Sequence, residues 1–233
     1  MKSIKLFAVD IDGTITINGN GAVNLEALAK LRYLIKLGYE IVYVTGRSSI
    51  EAFILSVFGG TTRISIGENG GVITESYTKH MVLANKQKCI DGYNILTKEI
   101  PNIEVQEVLP RMTEVVLKRT FDIDKGNKIL RENNLDLKIV DSNYAFHINE
   151  NKVDKAHGLQ YLMKIKEINH NEIVVIGDSK TDIPLFDLIE NSITFENSEE
   201  HVKEKAKYIV KGEKGEGLIN AIDLAIQKKN SGN

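Results

Sequence analysis

With one cysteine, Cys89, the chain can form neither an internal disulfide nor a thiolate metal cluster. A reducing compartment fits that usage, and the cytoplasm is the expected location. An excess of charge of either sign is also missing: the formal net charge is -2, with acidic and basic residues interleaved throughout. No basic face of the kind that binds nucleic acid phosphates follows from such a pattern. Long apolar runs are lacking too. The first run is short and is broken by Asp10 and Asp12, unlike the core of a signal peptide, and none later reaches membrane-spanning length. Neither nucleic acid nor a membrane is therefore an expected partner. Repeats and low-complexity stretches are absent up to a short polar tail, "KKNSGN", which is expected to fray.

What is present is a globular composition. The 233 residues, 42% of them hydrophobic and 27% charged, suffice for one large domain or two modest ones with a real core. "IKLFAV" reads as a buried strand, and "NLEALAKLRYLIKLG" as an amphipathic helix with Leu25, Leu28, Leu31, Leu34 and Ile35 on its apolar stripe. Asn24 is suited to cap that helix and Gly38 to end it before "EIVYV", a second buried strand. "RISI" and "EIVVI" are further strands. Between them, residues 80–150 read as a different unit: helices over "NKQKCIDGYNILTKEI" and "DIDKGNKILREN", strands over "TEVVLKR", "LDLKIV" and "YAFHIN". The first pattern then resumes with a helix over "KAHGLQYLMKIKEI", a strand over "SITFE" and a closing helix over "GLINAIDLAIQKK".

Continuous apolar strands alternating with helices predict an α/β fold, a doubly wound, mostly parallel, Rossmann-like sheet covered on both faces. Residues 1–79 and 151–233 would form this core, and 80–150 an inserted small α+β cap. Ligands of such sheets bind at the carboxyl ends of the strands. Four predicted strands end there in polar clusters: Asp10 with Asp12, Thr45 with Gly46 and Arg47, Glu68 with Asn69, and Asp178 with Asp182.

Each cluster has a plain structural explanation, which for "ENGG" is a turn leading into the inserted unit. "DIDGT" is also an Asp-Gly turn after a strand, "TGR" a strand-to-helix turn, and "GDSKTD" a helix start that favours acids. A calcium loop beginning at Asp10 fails, because Ile15 and Gly21 occupy the positions that need glycine and a bidentate glutamate. No G-x-x-x-x-G-K-[ST] loop occurs. "TGR" offers a hydroxyl, an unobstructed N–H and a guanidinium, all suited to phosphate. Gathering Asp10, Asp12, Asp178 and Asp182 costs roughly 1 to 4 kcal/mol per pair at about 4 Å unless a cation intervenes. All-oxygen ligands beside a phosphate suit Mg²⁺.

"DIDGT", "TGR", the lysine of "VDKAHG" and "GDSKTD" occur in the order and strand-end setting of the haloacid dehalogenase superfamily, which the chain resembles over nearly its whole length. The inserted unit resembles that superfamily's small α/β cap, and the whole is similar to archaeal phosphoglycolate phosphatases. The resemblance implies a phosphomonoesterase with Asp10 as nucleophile, Asp12 as general acid and base, and Thr45, Gly46 and Lys155 around the transferred phosphate. Mg²⁺ would be held by Asp10, the Asp12 main-chain carbonyl and Asp178, with Asp182 as a ligand or just behind. The implied substrate is a small phosphorylated acid, 2-phosphoglycolate, with a sugar phosphate as the alternative, either hydrolysed or isomerised by a mutase. Ser179 and Thr181 in "GDSKTD" depart from the "GDGxND" of many sugar-phosphate phosphatases. A catalytically silent phosphate-binding module is the reading outside enzymes, and the intact acidic set argues against it. Asn69 and Asn197 are further candidates to line the site. In the cap, Arg111, Lys118, Arg119 and His147 are candidates to meet a substrate carboxylate. The chain is expected to act as a monomer or homodimer.

Overall fold

The computed structural model describes residues 4–17 and 21–230. Six strands run parallel: β1 (Leu6–Val9), β2 (Glu40–Val44), β3 (Ser65–Gly67), β9 (Ile173–Ile176), β10 (Ser192–Phe195) and β11 (Tyr208–Val210). β4 (Val72–Thr74) and β5 (His80–Val82) extend the sheet antiparallel at one edge, giving the order β11-β10-β9-β1-β2-β3-β4-β5. β1 is thus flanked by β9 and β2. Val9 lies opposite both Tyr43 and Ile176, so the residues following these strands emerge at one level.

The apolar strands are apolar because both their faces are covered. Phe7 and Val9 point into a core shared with α1 (Leu25–Lys36), α2 (Ser49–Gly59) and α8 (Lys214–Asn230), while Leu6 and Ala8 point into a second core. That second core is closed by α5 (Lys155–Lys166), α6 (Ile183–Leu188) and α7 (Glu200–Lys203). In α1, Asn24 caps the start by accepting from Ala27 N at 2.9 Å, and Leu31 and Leu34 are wholly buried. Leu25 departs from the expected stripe: at the first helical position it faces away from the sheet and is 76% exposed. The polar tail starts inside α8, which continues to Asn230; residues 231–233 lie outside the described residues.

After β5 the chain leaves the large sheet for α3 (Lys86–Glu99), β6 (Val115–Leu117), α4 (Ile123–Glu132), β7 (Leu137–Asp141) and β8 (Phe146–Glu150). The strands form an antiparallel sheet, β6-β8-β7, with its own core around Leu96, Leu117, Leu130 and Ile148. We place the cap between β5 and α5. The break expected at residue 80 falls on β5, whose pairing with β4 through Val72 and Val82 keeps it in the large sheet. Where the chain crosses over, Glu150 accepts from Asn85 N at 2.7 Å and from Lys88 Nζ at 2.8 Å, tying the outgoing and returning segments together. Among the described residues no helix is long and apolar enough to cross a membrane.

Candidate active site

Three of the four predicted strand ends meet at one cavity of about 730 Å³ between core and cap. Asp10 follows β1, Thr45 and Gly46 follow β2, and Asp178 follows β9; all line it, together with Asp12 and Lys155. The fourth does not join them. Glu68, after β3, turns toward the cap, where its carboxylate accepts from Met112 N, Thr113 N and Thr113 Oγ1, each at 2.8 Å by its closer oxygen. Asn69 lies on the same seam, donating to Glu114 Oε2 at 3.2 Å, and Asn197 is engaged with Glu213 at the surface.

Lys155, at the start of α5, is 2% exposed, and its ammonium bridges Asp10 Oδ1 at 2.8 Å and Asp182 Oδ1 at 2.7 Å. Burial disfavours its charge, but the two carboxylates outweigh that and hold its pKa above the ordinary lysine value. Burial, then the neighbouring Asp182, raise Asp10 well above the usual carboxylate range, against the opposing pull of Lys155. The same two causes push Asp178 up to about 7, although Thr14 Oγ1 donates to its Oδ1 at 2.7 Å.

Oxygens of Asp10, Asp178 and Asp182 lie within 4.8 Å of one another. Three acids around one lysine leave an uncompensated negative charge, which a hard divalent cation would neutralise, so the donor set fits such an ion. The acids differ in what remains available. Asp182 Oδ2 accepts from Asp178 N, Ser179 N and Ser179 Oγ at 3.0–3.1 Å, and its Oδ1 from Lys155, so its carboxylate is fully engaged. Asp182 does not line the cavity. Gly13, with φ +79°, brings the chain so close to Asp178 that a Cβ there would sit 2.2 Å from its Oδ2.

Arg47 does not stand free as a phosphate ligand. Its Nε and Nη2 clasp the two oxygens of Asp12 at 2.8 Å each, and its Nη1 meets Glu51 Oε1 at 3.2 Å. Glu51 in turn forms a reciprocal cap with Ser48 at the start of α2. Thus α2 fixes Glu51, Glu51 and Asp12 fix Arg47, and Arg47 fixes the half-exposed Asp12.

Of the buried polar cluster on the cap side, sequence reasoning named Arg111, His147 and Asn69 but missed Glu114, which joins them. Glu114, wholly buried, receives Arg111 Nη1 at 3.0 Å and Asn69 Nδ2 at 3.2 Å, and lies 3.1 Å from His147 Nδ1. Burial alone would raise its pKa, yet His147 and Arg111 hold it below the usual value. Glu114 belongs to no motif, and nothing in its neighbours along the chain marks it. Thr14 and Ser179, by contrast, stand inside quoted motifs.

Fold and site together define an α/β protein whose inserted cap faces an acidic, lysine-bridged site at the strand ends. Residues 7–98 and 91–222 match a family described as haloacid dehalogenase-like hydrolase, and the chain belongs to that family. It is 48% identical over 219 residues to a phosphoglycolate phosphatase of Nitrosopumilus maritimus, covering 94% of this chain and 95% of the relative. It is 33% identical over 221 residues to one of Archaeoglobus fulgidus, covering 94% and 96%. Among solved structures, a protein of Thermoplasma acidophilum superposes with a TM-score of 0.82 at 21% identity, covering 98% of this chain and 99% of that one. A haloacid dehalogenase-like hydrolase of Bacteroides thetaiotaomicron gives 0.76 at 18% identity, covering 96% and 100%. Both share the fold.

Proposed function

We propose that this protein is a Mg²⁺-dependent phosphomonoesterase of the cytoplasm that hydrolyses 2-phosphoglycolate to glycolate and phosphate through an aspartyl-phosphate on Asp10. The observation that carries this reading is the buried Asp10, aimed at the cavity with its other flank on Lys155. A buried carboxylate that lines the cavity beside a buried lysine, at the end of the central strand, is placed as a nucleophile toward a bound phosphate would be. The two archaeal relatives named as phosphoglycolate phosphatases support the substrate.

In this account the phosphate of the substrate lies by Thr45 and Gly46, with Lys155 offsetting its charge. An oxygen of Asp10 attacks phosphorus as the ester oxygen of glycolate departs, and Asp12 gives that oxygen its proton. Asp12, now a carboxylate, takes a proton from water; the water oxygen attacks phosphorus, the bond to Asp10 breaks, and phosphate leaves. Arg47 holds Asp12 at the mouth of the site between these transfers. Bound Mg²⁺ would offset the charge of the acids and of the phosphate oxygens, held by the carboxylates of Asp10 and Asp178 and the main-chain carbonyl of Asp12. We assign Asp182 a positioning role, holding Lys155 and the 178–179 turn, in place of direct ligation.

The test is phosphate release from a panel containing 2-phosphoglycolate and hexose phosphates, with Mg²⁺ and with chelator. Metal-dependent preference for 2-phosphoglycolate is expected. Preference for a hexose phosphate would move the substrate and keep the chemistry, whereas no release from any ester would return the chain to a silent binding module.

A further inference from the structure

The structure separates the four cap residues named from the sequence. Lys118 pairs with Glu104, and Arg119 with Asp141, and neither lines the cavity. Arg111 and His147 do line it. His147 is occupied at both ring nitrogens, by Glu114 and by Ser142 Oγ at 3.0 Å. Arg111 is different. It is 7% exposed and makes its hydrogen bonds through one nitrogen, Nη1, to the Gly46 carbonyl at 2.8 Å and to Glu114. Its Nε is buried and has no hydrogen-bond partner among the described residues, and the bonds seen for the guanidinium run through Nη1 alone.

Nε and Nη2 form one edge of the guanidinium, two parallel donors whose spacing matches the two oxygens of a carboxylate. Leaving a buried cationic donor unpaired is costly, so the unmatched Nε of a side chain that lines the cavity points to an absent anion. The same side chain touches Gly46, next to Thr45, the residues proposed to hold the transferred phosphate. An anion on the free edge would therefore lie only a short molecule away from that phosphate. Gly46 and Glu114 already fix the guanidinium, so little side-chain freedom is lost when the ligand arrives.

Resting on the phosphatase reading, we propose that Arg111 is the specificity residue of this site: its free fork takes a carboxylate of the substrate. It thereby selects phosphomonoesters with one methylene between ester oxygen and carboxylate over hexose phosphates, which have no acid at that distance.

The experiment compares kcat/KM for 2-phosphoglycolate with that for ethyl phosphate, the same ester bearing methyl in place of carboxylate, in wild type, Arg111→Gln and Arg111→Lys. Wild type should favour the acid. In Arg111→Gln the ratio of the two constants should fall roughly 10- to 100-fold, with the loss for the acid in KM, and Arg111→Lys, charged but without a fork, should fall between. Losses of equal size on both esters would mean a structural role and overturn the anchor while leaving the phosphatase reading intact. Equal use of both esters by wild type would also overturn it, and use of neither would overturn the anchor together with 2-phosphoglycolate as the substrate, the phosphatase chemistry itself being decided by the hexose phosphates of the wider panel. Should Arg111→Gln fail to fold, Arg111→Lys decides: an unchanged ratio rejects the anchor, a reduced one supports it.

Discussion

Arg47 grips Asp12 with both nitrogens of its fork, each 2.8 Å from a carboxylate oxygen. The Asp12 pair then raises the arginine pKa further above its ordinary value, so Arg47 is always cationic. With both oxygens on Arg47, Asp12 is held in place as the carboxylate that takes a proton from water, and one of these bonds opens when Asp12 carries the proton. Replacing Arg47 with Met should lower kcat about 10- to 100-fold, the worth of a charge-assisted pair, with a smaller change in KM. Steady-state kinetics check this, and an unchanged kcat would show that Asp12 is oriented by something else.

Asp178 and Asp182 should respond in opposite ways to the same substitution. Asp182 satisfies four donors, so Asp182→Asn should destabilise the metal-free protein by about 3 to 5 kcal/mol, the cost of breaking a buried ion pair. Asp178 is strained by burial and by Asp182, so Asp178→Asn should leave the metal-free protein as stable at pH 8, or more so, while abolishing tight Mg²⁺ binding. Denaturant unfolding without metal, beside calorimetric Mg²⁺ titration, separates the two.

Metal and protons should compete. Asp178 titrates near 3.8 when unfolded but is pushed up to about 7 in the folded, metal-free protein. Between those values the folded state binds more protons, so this group's contribution to stability is full below about pH 4 and is lost as pH rises toward 7. Adding Mg²⁺ at pH 6 should release protons, and the share that comes from Asp178 should shrink as pH rises above 7. Titration calorimetry in buffers of differing ionisation enthalpy reads this directly.

At the seam, Glu68 joins the turn after β3 to the cap through Met112 and Thr113. Glu68→Ala strands these buried donors and should cost about 1 to 3 kcal/mol, with Glu68→Gln milder because an amide oxygen can still accept. Urea unfolding of the two variants beside wild type gives the comparison.

Much of this was legible in the sequence, for physical reasons. Strands such as Leu6–Val9 are buried on both faces, so their apolar runs are continuous, and Asp10 and Asp178 announce themselves by ending such runs. α2 left a readable signal in Ser48 and Glu51, three apart, the spacing of a reciprocal cap. β4, β5 and β11, three residues each, went unread, whereas the equally short β3 and β6 sit in longer apolar runs that could be read. Side-chain partnership was the least visible layer. That Glu68 would face the cap, or Arg47 take Asp12 in place of phosphate, depends on contacts between residues 35 or more positions apart.

The central claim is that Asp10 carries the phosphoryl group. Its most direct test is to quench the enzyme in acid while it turns over 2-phosphoglycolate labelled at phosphorus, with Mg²⁺ present, in wild type and Asp10→Asn. The account predicts label bound to wild-type protein on a residue 10 peptide, released by hydroxylamine, and none on the folded variant. Steady hydrolysis with no label on the wild type, or equal labelling of Asp10→Asn, would contradict it.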